Sequence, residues 1–144
     1  MLLVKILFKN INVIPTFDLR IGNWLMVSNV VYHVTSIHES KITLEGLKYA
    51  VKQEDLQPIR VTKEILEKSG FKQLKQTDLY EKIPLEGFTY KLDANRVMVF
   101  HPGENTLCHW LNSQIIYLHQ LQNFYYILTG RHIYWEPNYV KDFD

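Results

Sequence analysis

The chain has 144 residues, of which 47% are hydrophobic and 22% are charged, a balance typical of a folded globular protein and not of a disordered segment. Its formal net charge of +1 gives no overall field that would draw it to nucleic acid or to an acidic membrane surface. The single cysteine, Cys108, excludes an internal disulfide framework and fits a reducing compartment, so we expect the protein in the cytoplasm.

Residues 1–17 begin with the apolar run LLVKILF, and we predict that they form an extended arm or an added strand. Lys5 and Lys9 interrupt the run, and no small-residue cleavage site follows, so we do not expect a signal peptide. It is also far shorter than the about 20 apolar residues that a membrane span needs. We therefore predict no membrane partner.

Residues 18–60 are a series of short runs rich in β-forming residues. Turn-type residues separate them at Ser28-Asn29, at Glu39-Ser40-Lys41 and at Gly46. The runs are LRIGNWLMV, VVYHVTSIH, ITLE and LKYAV. Several short strands at this spacing predict a small, strongly bent sheet, an SH3-like β-barrel lobe that leaves few exposed edges.

The segment VTKEILEKSGF predicts a short helix over residues 62–69. Thr62 is a good N-cap, and Gly70 supplies the left-handed residue that ends a helix. Phe71 is placed to fold back on Leu66, as in a Schellman stop.

Strand patterns return between residues 79 and 111, and the last long element is a helix predicted over 113–129. Ser113 or Asn112 caps its start, and Gly130 ends it. HIYWE (132–136) predicts one final strand. The predicted fold class is α+β: the barrel-like lobe, then an α+β lobe over 61–144 in which an antiparallel sheet packs against the long C-terminal helix, the whole forming one compact unit.

Two faces of the long helix differ in chemistry. A buried stripe is predicted from Leu118, Leu121, Tyr125 and Leu128, which recur at spacings of three and four. The second face carries polar or ring-bearing side chains where a solvated face would carry Lys and Glu: His119, Gln122, Asn123 and Tyr126. Two interpretations stay open. The carboxamides bond backbone groups of the adjoining lobe, or these residues, with Trp24 of the barrel-like lobe, line a site for a ligand or partner.

No catalytic constellation is visible. Cys108 lacks an evident base, because its neighbour His109 would point to the opposite face of a strand. His101, Cys108, His109 and His119 are metal-ligand types but lack the close pairs of a zinc site. We therefore predict no enzyme, no metal and no cofactor.

Nucleic-acid binding is the remaining hypothesis from the barrel-like lobe, where Trp24, Tyr32 and Tyr49 could stack on bases. The lysines and Arg60 of this lobe are offset by nearby glutamates and Asp55. The charge balance argues against it, and core packing is the simpler role of these rings.

Three segments carry a resemblance: LRIGN (19–23), PIRVTKEILEKSGF (58–71) and YLHQLQNFYYILTG (117–130). They resemble an uncharacterised family of small proteins of gut Bacteroides-group bacteria and their phages. That family shows LRIGN, then Pro-Ile…Leu-Thr-Glu-Glu…Gly-Phe, then His-x-Leu-Gln-Asn-Leu-Tyr-x-x-Leu-Thr-Gly. The chain departs from the pattern at Lys63 and in its N-terminal arm. The resemblance implies a phage or mobile-element origin and supplies no catalytic role.

The preferred hypothesis is therefore a non-catalytic accessory protein that binds a host protein or a small nucleotide-like ligand, for example against a defence pathway. Its proposed site residues are His119, Gln122, Asn123, Tyr126 and Trp24. A second hypothesis is a virion component that self-associates through the N-terminal arm, since an exposed strand edge pairs readily with another copy. A nucleic-acid-binding small barrel is the third.

Overall fold

A computed structural model describes residues 13–73, 75, 80–82, 89–93, 96–100 and 107–137; at residues 81–114 and at position 128 this description is of the backbone. The chain divides into two compact units. The first comprises Met1–Val61 with Ile115–His132, and the second comprises Thr62–Gln114 with Ile133–Asp144. The predicted arm at residues 1–17 lies largely outside the described residues.

The fold is α+β, and the first unit contains a four-stranded antiparallel sheet that curls into a half-barrel. Its strands, in their order across the sheet, are β1 (Trp24–Val27), β2 (Val30–His38), β3 (Lys41–Leu44) and β4 (Val51–Lys52). The first half of β2 pairs with β1 and its second half with β3, with an irregular register between Val34 and Ser36. Because one strand serves two neighbours across a bulge, the sheet bends sharply there.

The predicted turn at Ser28-Asn29 is confirmed. Val27 pairs with Val30, and the two residues between them have φ angles of 50° and 65°. Two consecutive left-handed residues make a type I′ turn, whose twist matches that of the flanking strands. The hairpin between β2 and β3 likewise turns through Glu39, whose φ is 53°.

Residues of these strands, together with three residues outside them, form the core of the first unit. The buried cluster contains Ile14, Leu19, Leu25, Val34, Ile42, Leu44, Val51 and Leu56. Two predicted strands are shorter than expected: the first begins at Trp24 instead of Leu19, and LKYAV contributes only its last residue, Val51, to β4. In the first case residues 20–23 form a hydrogen-bonded turn, so the strand starts after it.

Two α-helices lie in the described part of the chain, α1 (Lys63–Lys68) in the second unit and α2 (Leu118–Thr129) in the first. The sequence predicted that α2 begins at Ser113, and this was wrong. Ser113 lies in a strand, and Tyr117 has an extended backbone held by hydrogen bonds on both sides: Val61 N–H donates to Ile116 O and Leu118 N–H donates to Ile59 O, both at 2.8 Å. A backbone paired in this way cannot also close helical turns.

The ends of α2 follow from its sequence. Gln120 Oε1 accepts hydrogen bonds from the N–H groups of Ile116 and Tyr117, at 3.0 and 3.1 Å, and so secures the chain entering the helix. Gly130 adopts a φ of 68° and ends it, as predicted. Leu118, Leu121 and Tyr125 are buried, which confirms that part of the predicted stripe. The side chain of Leu128 lies outside the described part of the structure.

In the second unit, α1 has the predicted caps. Thr62 Oγ1 accepts from Ile65 N–H, and Phe71 N–H donates to Leu66 O at 2.9 Å beyond Gly70. A five-stranded antiparallel sheet follows in sequence order: β5 (Lys72–Gln73), β6 (Tyr80–Lys82), β7 (Thr89–Asp93), β8 (Arg96–Phe100) and β9 (Leu107–Gln114).

The predicted final strand at 132–136 is not present. Ile133 and Trp135 are buried while Tyr134 and Glu136 are exposed, so the alternation that suggested a strand is real. Residues 131–137 nevertheless join no ladder. Alternation reports which side chains face inward, and it does not supply a partner strand. Neither helix in the described part of the chain has the length and apolar run needed to cross a bilayer.

Candidate functional site

The LRIGN segment is a turn held by its own asparagine. Asn23 N–H donates to Arg20 O at 3.1 Å, and Asn23 Oδ1 accepts from Arg20 N–H at 2.7 Å. Gly22, with a φ of 96°, takes the left-handed position that a turn of this kind requires. The turn is fastened to β2, because Gly22 N–H donates to Val34 O at 2.9 Å.

The carboxamides of α2 fasten this turn from the other side. Gln122 is 8% exposed; its Oε1 accepts from Trp24 N–H at 3.0 Å, and its Nε2 donates to Gly22 O at 3.0 Å. One side chain thereby satisfies two backbone groups on either side of Asn23. Such pairing is what a buried amide requires.

Asn123 completes the network. Its Oδ1 accepts from Asn23 Nδ2 at 2.9 Å, and its Nδ2 donates to Asp18 O at 2.5 Å. The two segments LRIGN and LQN, which both belong to the resemblance, therefore contact one another directly. These amides hold α2 to the turn. Whether Gln122 and Asn123 also touch a ligand stays a prediction.

Tyr126 lies one turn further along α2, beside residues of the same turn. The guanidinium carbon of Arg20 is 3.6 Å from the centroid of the Tyr126 ring, a cation–π contact. The ring of His132 lies with its centroid 4.8 Å from that of Tyr126, at an interplanar angle of 37°. Tyr126 thus contacts both a cation and an imidazole.

Trp24 lies on β1 and is joined to the same region by its contact with His33 on β2. Trp24 and His33 are directly opposite each other on β1 and β2, and their ring centroids are 5.1 Å apart. Gly22 lies between the two histidines: a Cβ at Gly22 would be 3.9 Å from His33 Nε2 and 3.9 Å from His132 Nδ1. We call this continuous surface the Gly22 face; it consists of Arg20, Gly22, Trp24, His33, Tyr126 and His132.

His119 lies elsewhere, although the sequence grouped it with Tyr126. It is 2% exposed, stacks on Tyr117 with ring centroids 5.9 Å apart, and lines a pocket of about 80 Å³ with Asp18 and Gln120. Burial lowers the pKa of His119 from 6.5 to about 4, although the nearby Asp18 partly opposes the shift. Its Nδ1 has no hydrogen-bond partner among the described residues. His119 is therefore a neutral, buried ring.

The other candidates from the sequence are not tested by side-chain geometry. The side chains of Cys108 and His109 and the whole of His101 lie outside the described residues. Within the part that is described, no three side chains of the His, Cys, Asp or Glu type group as a metal site. Tyr49 lines a separate open depression of about 710 Å³ with Lys52, Glu54 and Asp55.

Four residues of the Gly22 face escaped the sequence analysis: Arg20, Gly22, His33 and His132. Arg20 and Gly22 flank Ile21 within LRIGN, and an arginine two residues from a turn glycine was the available signal. No local pattern joins His33 to His132, because they are 99 residues apart and meet only through the fold.

Comparison of the chain with protein-family models, with curated proteins and with solved structures gives no significant match. The Gly22 face must therefore be interpreted from its own chemistry.

Proposed function

We propose that this chain is a non-catalytic binding protein of phage or mobile-element type, and that its Gly22 face binds a small nucleotide-like ligand. The observation that carries the proposal is the contact of Tyr126 with Arg20 and His132, beside the Trp24–His33 pair. Rings and a guanidinium on one surface are the groups on which flat heteroaromatic ligands stack, at about 1–3 kcal/mol for each base.

The rigidity of the support favours this proposal. Arg20, Gly22 and Trp24 belong to a turn and strand fastened to α2 by Gln122 and Asn123, and Tyr126 lies on α2 itself. The ligand-facing groups are thus fixed relative to one another before a ligand arrives, which lowers the entropy cost of binding.

We also propose that the first unit is an SH3-like barrel. Beyond its half-barrel sheet, Met26 and Gln57 exchange two hydrogen bonds of 2.9 and 2.8 Å, which join the chain after β4 back to β1. A 3₁₀ helix at Gln53–Asp55 lies just before this bridge. Closure of that kind would hold the Gly22 face on a rigid lobe.

A test of the ligand proposal uses the purified chain and a cell extract of small molecules. Compounds retained by the wild type, by Tyr126→Leu and by Tyr49→Leu are identified by mass spectrometry, and the melting temperature of each protein is recorded. We expect Tyr126→Leu to melt close to the wild type and to lose its nucleotide-like compounds at least about tenfold, a loss of about 1.4 kcal/mol. Tyr49→Leu, which changes an exposed tyrosine elsewhere in the unit, should retain them. Equal retention by all three proteins would refute the proposal.

Exposed apolar side chains favour a second candidate, the docking of a host protein. Phe17 is 87% exposed and Ile127 is 76% exposed, and Ile21 beside Gly22 is exposed as well. Substitution of Phe17 and Ile127 by serine should abolish capture of a host protein but leave nucleotide retention unchanged. Light scattering on the purified chain distinguishes docking of a host protein from self-association.

A further inference from the structure

We propose that the Gly22 face recognises an oxyanion of its ligand, a phosphate group, through Arg20 and the two histidines that flank Gly22. This inference rests on the proposed function, since it names the part of the nucleotide-like ligand that the charged groups contact. It goes further, because stacking rings alone would not require a charged group.

The position of the Arg20 guanidinium and its N–H donors suit such a contact. Its guanidinium carbon lies over the Tyr126 ring, 3.6 Å from the centroid, and this contact does not use its N–H donors. Among the described residues, no carboxylate pairs with Arg20 and no acceptor takes a bond from its guanidinium. Five N–H donors in a fixed plane are suited to bidentate binding of phosphate.

The two imidazoles supply the other side of the site. His33 Nε2 and His132 Nδ1 both face the position above Gly22, where a side chain would otherwise lie. Glycine leaves that space open, and its φ of 96° is one that L side chains rarely adopt. A protonated imidazole donates from both nitrogens, so each ring is able to donate to an anion that occupies this space.

One carboxylate opposes the anion. Glu45 Oε2 lies 3.5 Å from His33 Nδ1, an ion-pair distance without the alignment of a hydrogen bond. The Glu45 side chain is 72% exposed, so solvent screens it. It lies on the Nδ1 side of His33, whereas Nε2 is the atom that faces Gly22. Glu45 therefore leaves the anion position beside Nε2 unoccupied.

Isothermal titration with adenosine 5′-monophosphate, adenosine and inorganic phosphate tests the inference. We expect the monophosphate to bind at least about tenfold more tightly than adenosine. Arg20→Lys keeps the charge but loses the planar fork, and should remove most of the difference in affinity between the monophosphate and adenosine. His132→Gln, at an exposed position, should weaken monophosphate binding in the same direction. Arg60→Gln, which removes an exposed arginine away from the face, is the matched control and should bind as the wild type does.

The outcomes separate the two proposals. Equal affinity for the monophosphate and adenosine overturns the phosphate contact and leaves the nucleotide-binding proposal standing. Phosphate binding that depends on Arg20, without any nucleoside binding, supports the oxyanion site and overturns the nucleotide proposal. Binding of none of the three probes overturns both, and tight binding that survives Arg20→Lys and His132→Gln unchanged overturns the assignment of these residues.

Discussion

Acidification should destabilise the first unit through His119. This side chain is 2% exposed, and its pKa falls from 6.5 to about 4 on folding, chiefly because burial disfavours the charged ring. Below pH 6.5 the unfolded chain takes up a proton at this histidine and the folded chain does not. Protons therefore favour unfolding, and the free energy of unfolding falls as the pH drops from about 6.5 to about 4.

The size of this effect follows from the lowered pKa of His119. A tenfold difference in proton affinity between the folded and unfolded chains corresponds to about 1.4 kcal/mol, so His119 alone removes roughly 3 kcal/mol of stability between neutral pH and pH 4. For a chain of this length that amounts to a fall of roughly 10 °C in melting temperature. Asp18 lies near enough to raise the pKa in part, and its effect is already included in the value of about 4.

Thermal melts of the wild type and of His119→Leu at intervals from pH 7 to pH 4 measure this pH dependence of stability. The variant has its own baseline stability, but we expect a shallower dependence on pH, because its side chain does not titrate. Carboxylates titrate in both proteins and cancel in the comparison. His38→Gln, which removes an exposed histidine at the end of β2, is the control and should follow the wild type. Parallel curves for the wild type and His119→Leu would refute the role of His119.

Three further changes test the contacts that hold the fold. Gln122→Leu removes the hydrogen bonds that its side chain makes with Trp24 N–H and Gly22 O, so we expect the free energy of unfolding to fall by about 2–4 kcal/mol in a denaturant titration. Near-wild-type stability would show that the carboxamide does not hold α2 to the turn. Thr62→Ala removes the cap of α1 and should lower the free energy of unfolding by about 1 kcal/mol in the same assay, whereas Thr62→Ser should retain most of the stability that the cap contributes. Ser28→Asn combined with Asn29→Gly suits the left-handed φ angles of the β1–β2 turn and should stabilise the protein by about 0.5–1 kcal/mol; a lower melting temperature would contradict the type I′ assignment.

Local signals predicted the local structure well. Thr62, Gly70 and Gly130 mark helix ends because caps and left-handed residues act within a few positions of the chain. Ser28-Asn29 predicts a turn for the same reason. The start of α2 was missed because a long-range pairing, between the segments around Arg60 and Tyr117, holds residues that a local pattern would place in the helix.

The candidate site shows the same difference between features that local signals predict and features that depend on long-range contacts. Gln122 and Asn123 stood out because carboxamides are unusual on a solvated helix face, and the sequence already named bonds to backbone groups as one explanation. Sequence spacing also grouped His119 with Tyr126, but helical periodicity does not specify which neighbouring segment each meets. His119 lines a pocket together with Asp18, whereas Tyr126 contacts Arg20 and His132.

The most direct test of a ligand site at the Gly22 face is a titration of the isotope-labelled protein with adenosine 5′-monophosphate, followed by amide and side-chain chemical shifts. We predict that the largest changes occur at the Gly22 amide, the Arg20 Nε–H and the Trp24 indole N–H. Changes confined to the depression around Tyr49 and Lys52, or no changes at millimolar ligand, would contradict a ligand site at this face.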